Sequence, residues 1–171
     1  MKSYDAVKGG GQMEQGLPPG AGVVVRDALP QDEAAWRLMW HAYCAFYEAE
    51  ISPEITTVTW RRILDSQSAV NAIMAVDAGG GALGFANYVV HPYTWGIDSV
   101  CYLEDLYVND VRRGAGIGAA LIGHLVQRGE SGGWDRLYWV TRGGNAPARR
   151  LYDRFAPADD FVRYVLPIAR D

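Results

Sequence analysis

Short apolar runs alternate with longer mixed stretches along the chain, and glycine or proline separates them. Val23-Val24-Val25-Arg26 opens the pattern as a strand that Pro30 ends. Asp27 and Asp32 stand near the start of a long stretch in which Trp36, Trp40, Tyr43 or Cys44, and Tyr47 recur on one helix face. A stripe of that kind reads first as core. Pro53 interrupts it, and a second helix is expected over about Glu54–Asp65. Asn71–Asp77 and Ala82–His91 read as strands of a hairpin turned at Gly79-Gly80-Gly81. Val100–Val108 predicts a further strand, followed by Asn109-Asp110, a glycine cluster and a helix to about Gly129. Trp134–Thr141 predicts a strand, Ala146–Phe155 a helix and Phe161–Ile168 a last strand. The order βααβββαβαβ describes an α/β chain with a mixed sheet and helices on its faces, not a regularly alternating fold.

A length of 171 residues suits one domain. Residues 1–22 carry Gly9-Gly10-Gly11 and Pro18-Pro19-Gly20 with few large apolar side chains, so they read as a tail or arm, leaving 23–171 as the domain. No run reaches the ~18 apolar residues of a membrane span and no signal-peptide pattern opens the sequence, so the expected setting is cytoplasmic, with no membrane partner. Cys44 and Cys101 lack metal or CxxC spacing and are expected to be buried thiols. His41, His91 and His124 form no ligand pattern, so no metal is assigned. A formal net charge of −4 argues against broad nucleic-acid binding and mildly favours a cationic substrate.

Arg113-Gly114-Ala115-Gly116-Ile117-Gly118-Ala119 lies between a predicted strand and a predicted helix. Glycines at alternate positions let the backbone turn tightly and approach a ligand closely. The first helical N–H groups lack intrahelical acceptors and carry the positive end of the dipole, which together suit a phosphate or pyrophosphate. A plain glycine-rich connection is the alternative. No Lys-Ser or Lys-Thr follows, so the Walker A loop is excluded. Gly114, Gly116 and Ala119 also satisfy GxGxxA, but Asp135, at the distance of a ribose-binding acid, begins its strand instead of ending it.

The run Tyr102-Leu103-Glu104-Asp105-Leu106-Tyr107-Val108, continued by the glycine turn, resembles the central motif of GNAT acetyltransferases; Arg113, Gly116 and Gly118 meet their Arg/Gln-x-x-Gly-x-Gly/Ala pattern. Asn145, Ala148, Leu151 and Tyr152 resemble the family's next helix, Asn-x-x-Ala-x-x-x-Tyr. The likeness spans Val23 to Ile168. Gly84-Phe85-Ala86, His91-Pro92-Tyr93-Thr94-Trp95, Tyr102-Leu103-Glu104-Asp105 and Phe46-Tyr47-Glu48 look closest to spermidine/spermine and thialysine N-acetyltransferases and to bacterial histone-acetyltransferase-like members. Ala156-Pro157-Ala158-Asp159-Asp160-Phe161 departs from the family by lacking the Gly-Phe that often opens the final strand.

The resemblance implies acetyl-CoA as acyl donor, direct transfer to a primary amine, and a homodimer. The pantetheine arm would enter a gap beside Leu106, Tyr107 and Val108, the pyrophosphate would sit over Arg113, Gly114, Ala115, Gly116, Ile117, Gly118 and Ala119, and Asn145 and Ala148 would add cofactor contacts. Stripping an ammonium of pKa ~10.4 costs ~4.6 kcal/mol at pH 7, so an acid must attract the cation and pass its proton on. Strand alternation puts Glu104 with Tyr102 and Leu106 and Asp105 with Leu103 and Tyr107, so one carboxylate alone faces the acyl site; the resemblance selects Glu104. Tyr152 takes the position of the family's general acid, returning a proton to the leaving thiolate. Tyr47, Glu48, Trp95, Glu104 and Trp139 would meet the acceptor, and Glu48, Glu50 and Glu54 place acid near the aromatic helix end. As alternatives, Glu104 is a surface ion-pair residue, Tyr152 packs, and the glutamates form a solvated face. The expected acceptor is a small polyamine-like or amino-acid-like amine; the rivals are a protein-lysine acetyltransferase and a non-catalytic acetyl-CoA-binding module.

Overall fold

Period-two alternation turns Met74 and Val76 of β2 (Val70–Val76) to one side of a sheet and Ile73 and Ala75 to the other, and all four are buried. Such two-sided burial requires helices on both faces. The computed structural model describes residues 22–169; apart from Gly22, the expected N-terminal arm lies outside them. Two units divide the chain, Met1–Val140 and Thr141–Asp171.

In the first unit β1 (Val24–Asp27), β2, β3 (Ala82–Pro92) and β4 (Ser99–Val108) form an antiparallel meander, and β5 (Arg136–Tyr138) joins β4 in parallel. Helices α1 (Glu33–Phe46) and α2 (Pro53–Leu64) separate β1 from β2, and α3 (Ile117–Gly132) crosses over between β4 and β5. The aromatic stripe of α1 is core, as expected. Trp36, Trp40 and Trp60 are buried with Met74, Val76 and Phe85. Trp36 stacks on Trp40 with centroids 5.5 Å apart and meets Trp60 at 5.1 Å. A buried tryptophan removes ~200 Å² from water, ~5 kcal/mol before ordering entropy, so these rings dominate the α1–α2–sheet contact.

Local chemistry sets the helix starts. Asp32 closes a 3-10 turn over Pro30–Asp32, accepting the Leu29 N–H at 2.8 Å and pairing with both Arg26 nitrogens at 2.6 and 2.9 Å. The Arg26 guanidinium holds the Asp32 carboxyl below the usual carboxylate range and ties the head of α1 to β1. Pro53 does not break α1; it is the first residue of α2, capped by Ser52, whose side chain accepts the Ile55 N–H at 3.2 Å. On the opposite face of the sheet, Arg128 of α3 donates to Tyr88 and Asp27, each at 2.6 Å.

The second unit contains α4 (Ala146–Tyr152), followed from residue 156 by chain without helix or strand among the described residues. The last strand expected at Phe161–Ile168 is therefore absent there. Its apolar side chains, including Tyr164 and Leu166, are exposed. A strand exists only through ladder partners, and none pairs with this stretch; Pro167 also withdraws one donor. The strand expected at Trp134–Thr141 shortens to β5 for a related reason, since its pairing with β4 stops at Tyr102↔Tyr138.

Candidate active site

The glycine turn has the geometry its sequence demands. Gly114 and Gly116 lie at φ 82° and 79°, a left-handed region that side chains resist. A Cβ at either would meet nothing within 4 Å, so open space, not protein packing, borders them. Gly116 is the N-cap of α3, whose Ile117 is buried while residues 110–116 are exposed. The amides of Ile117, Gly118 and Ala119 begin a 16-residue helix and have no intrahelical acceptor, and the adjoining turn is bare. The residues present fit a diphosphate. Arg113 sits at the rim in an ion pair with Asp110.

A second opening adjoins it. β5 pairs with β4 only at Val100↔Arg136, Cys101↔Leu137 and Tyr102↔Tyr138. From Leu103 to Val108 that edge of β4 has no strand partner among the described residues, which leaves backbone donors and acceptors available to an extended ligand arm. Leu106, Tyr107 and Val108 lie on this stretch, half-buried. At the end of the ladder Tyr138 stacks on Tyr102 with centroids 4.9 Å apart and contacts His91 Nε2 at 3.0 Å. His91 Nδ1 lies 2.8 Å from the Pro92 carbonyl, which accepts only, so Nδ1 carries the proton and Tyr138 donates to Nε2.

The faces of β4 differ from plain alternation. Tyr88 pairs with Leu103 but Asn87 with Asp105, so Glu104 is the extra residue of a bulge. Leu103 thus shares the α3 face with Tyr88, and Asp105 shares the α1 face with Asn87, whereas alternation groups those two β4 residues together. Separation of the two carboxylates survives, for a different reason. Asp105 is half-buried, accepting from Asn87 and Tyr43, and burial raises its carboxyl above the usual range. Glu104 is exposed. Burial raises the Tyr138 phenol, Arg136 lowers it, and the Glu104 carboxylate adds to the rise, so the charge of Glu104 is felt where the ladder ends.

Among the expected acceptor residues, Tyr47 and Glu48 end α1. Tyr47 packs on Tyr43 at 4.9 Å, and Tyr43 in turn bonds Asp105, so this helix end reaches β4. Glu48 adopts φ 55°, and Ala49 N donates to the Cys44 carbonyl at 3.0 Å, a left-handed helix stop occupied by glutamate instead of glycine. Trp139, half-buried, follows β5 directly. Trp95 is exposed in the β3–β4 turn, at the opposite end of β4 from Val108. An open cleft of ≈ 520 Å³ lies at the α1–α2 corner, with His41, Glu50 and Ser52 on its wall.

In the second unit Asn145 caps α4. Its side chain accepts the Ala148 N–H at 3.4 Å and donates to Thr141 Oγ1 at 3.3 Å, so it has a structural task whatever else it contacts. Tyr152 is the last residue of α4. Cys44 and Cys101 are buried, unbridged thiols; burial pushes Cys101 up to about 12 and, with the Asp105 charge, raises Cys44. Burial and a raised thiol pKa at both positions disfavour a nucleophilic role for either. Sequence reasoning missed Asn87, whose one signal was an amide inside the apolar run Phe85–Val90.

Comparison with known proteins agrees with this geometry. The acetyltransferase (GNAT) family matches residues 34–156. The D-amino-acid N-acetyltransferase HPA3 of Saccharomyces cerevisiae is 36% identical over 143 residues, covering 83% of this chain and 89% of its own. A ribosomal-protein-alanine N-acetyltransferase from Brucella melitensis superposes with TM-score 0.70 at 22% identity, over 85% of this chain and 99% of its own. AAC(6')-Iy, solved with a bisubstrate analogue of CoA, gives TM-score 0.70 at 20% identity, over 86% of this chain and 98% of its own. A glycine-built anion turn beside an unpaired strand edge thus has its explanation: the chain belongs to the GNAT family of N-acetyltransferases, whose acyl donor is acetyl-CoA.

Proposed function

We propose that the chain acetylates a small primary amine, amino-acid-like or polyamine-like, by direct transfer. The observation that carries this reading is an exposed, bulged carboxylate, Glu104, on the same strand as the unpaired edge from Leu103 to Val108. Glu104 attracts the ammonium and takes its proton, directly or through one water, which offsets the ~4.6 kcal/mol that deprotonation costs at pH 7. The β4 edge and the α3 amides hold the donor so that the amine nitrogen adds to the face of the thioester carbonyl, from which the sulfur then departs as thiolate. Tyr152 gives its phenolic proton to that sulfur; this role rests on the Asn145–Tyr152 sequence block. Raised thiol pKa values at both cysteines favour transfer without an acyl-enzyme.

Amino acids gain support from the yeast relative's activity, and polyamines from the exposed Glu48, Glu50 and Glu54 at the α1–α2 corner. Thiol release from acetyl-CoA, measured across D- and L-amino acids, diamines and lysine peptides, tests the proposal. Turnover of at least one class of free small amine is expected. Turnover confined to lysine peptides, or none with any amine, overturns it.

A further inference from the structure

Asn87 is 3% exposed in the buried middle of β3, and both ends of its amide are used. The Trp36 indole nitrogen, which can only donate, lies 3.2 Å from Asn87 Oδ1. That fixes the amide's orientation and leaves Nδ2 to donate, which it does to Asp105 Oδ2 at 3.0 Å. Asp105 also accepts from Tyr43, so α1 and β3 both hold the acid. The same residue marks the break in register: Tyr88 faces Leu103, Asn87 faces Asp105, and Glu104 is left over. Without the bulge, pairing would continue as Asn87 opposite Glu104. That one-residue slip would turn Glu104 toward the tryptophans and Asp105 to the other face.

We infer that Trp36, Asn87 and Asp105 form a positioning network that selects the bulged register of β4 and thereby aims Glu104 at the acyl-transfer site. The inference rests on the reading of Glu104 as the base. The network acts through Glu104 and touches no reactant. It needs an acceptor at position 105, which an aspartate or an asparagine supplies. A buried amide whose donor loses its acceptor no longer favours one register over the other.

Steady-state kinetics on the full chain test it, with acetyl-CoA affinity by calorimetry and Tm recorded for every variant. Asn87→Ala and Asp105→Ala are expected to lower kcat between about 10- and 100-fold, as misaimed groups do, with acetyl-CoA affinity held within about twofold. Asp105→Asn, still an acceptor, is expected to restore most of kcat. In a Glu104→Gln background, Asn87→Ala is expected to lower kcat no further, because both changes remove the same aimed carboxylate. Should Asn87→Ala fail to fold, the two Asp105 variants carry the test alone. Wild-type kcat in Asn87→Ala or Asp105→Ala overturns the network, as does an additive loss with Glu104→Gln. An Asp105→Asn that keeps kcat while KM rises for cationic amines alone overturns it too, since it makes Asp105 a charge anchor for the acceptor. Full turnover by Glu104→Gln strikes the base assignment instead, whereas a slow Glu104→Gln beside a fast Asn87→Ala strikes the network alone.

Discussion

Two of the helix ends in the first unit that adopt left-handed backbone meet that requirement in opposite ways. At the start of α3, Gly114 and Gly116 take φ 82° and 79° with no side chain and open space around them. At the end of α1, Glu48 takes φ 55° with a full side chain, in a stop where glycine costs least. In the proposed reading the first end binds with its backbone, through bare amides and the positive end of the helix dipole. For a cation at the second end, as proposed, backbone alone would give little, because the negative end of a helix dipole attracts a cation only weakly. A carboxylate there adds charge beside Tyr47, at a conformational cost near ~1 kcal/mol. On the proposed reading, an anion site built from backbone calls for the absence of side chains, and a cation site calls for their presence, even against local strain.

That contrast breaks or sharpens at three places, taken from the largest effect down. Glu104→Gln is expected to reduce kcat by ~10²–10⁴ with acetyl-CoA affinity unchanged, and Tyr152→Phe to act in the same direction. Unaltered single-turnover rates in both variants would remove their assigned roles. Gly116→Val forces a β-branched residue to φ 79° where no protein atom objects. Its effect therefore reads the backbone and the ligand alone, and a ~10–100-fold loss of acetyl-CoA affinity by calorimetry is expected. Equal affinity would show that the turn does not hold the diphosphate. Glu48→Gly carries the smallest effect and the sharpest sign. Thermal unfolding should show a gain near ~1 kcal/mol, while KM for the amine rises about fivefold, the worth of one exposed charge. A variant that gains stability and keeps KM would leave the strain at Glu48 without a purpose.

Much of the donor side was legible along the chain. The glycine turn, the strand before it and the helix after it are contiguous, and their conformations follow from local sterics and helix termini. The α1 stripe was equally readable, since a 3.6-residue period decides which side chains are buried. The faces of β4 were not. Alternation predicts Leu103 and Asp105 together, and only the pairing of Asn87 with Asp105 shows that Glu104 has been inserted between two faces. Glu48 likewise reads as an ordinary acidic residue, and its backbone conformation appears only in the folded chain. The stretch from Phe161 to Ile168 has strand-like composition and no strand, because a ladder requires a partner that composition does not supply.

By itself the sequence determined the helices, the anion turn and the family, through periodicities and short-range geometry that each segment carries within its own residues. Tertiary structure alone decided the register of β4 around Glu104, where the β4–β5 ladder ends and how Asn87 is oriented. The orientation of Asn87 depends on hydrogen bonds with Trp36 and Asp105, residues from α1 and β4 that become its neighbours only when the sheet closes under the helix.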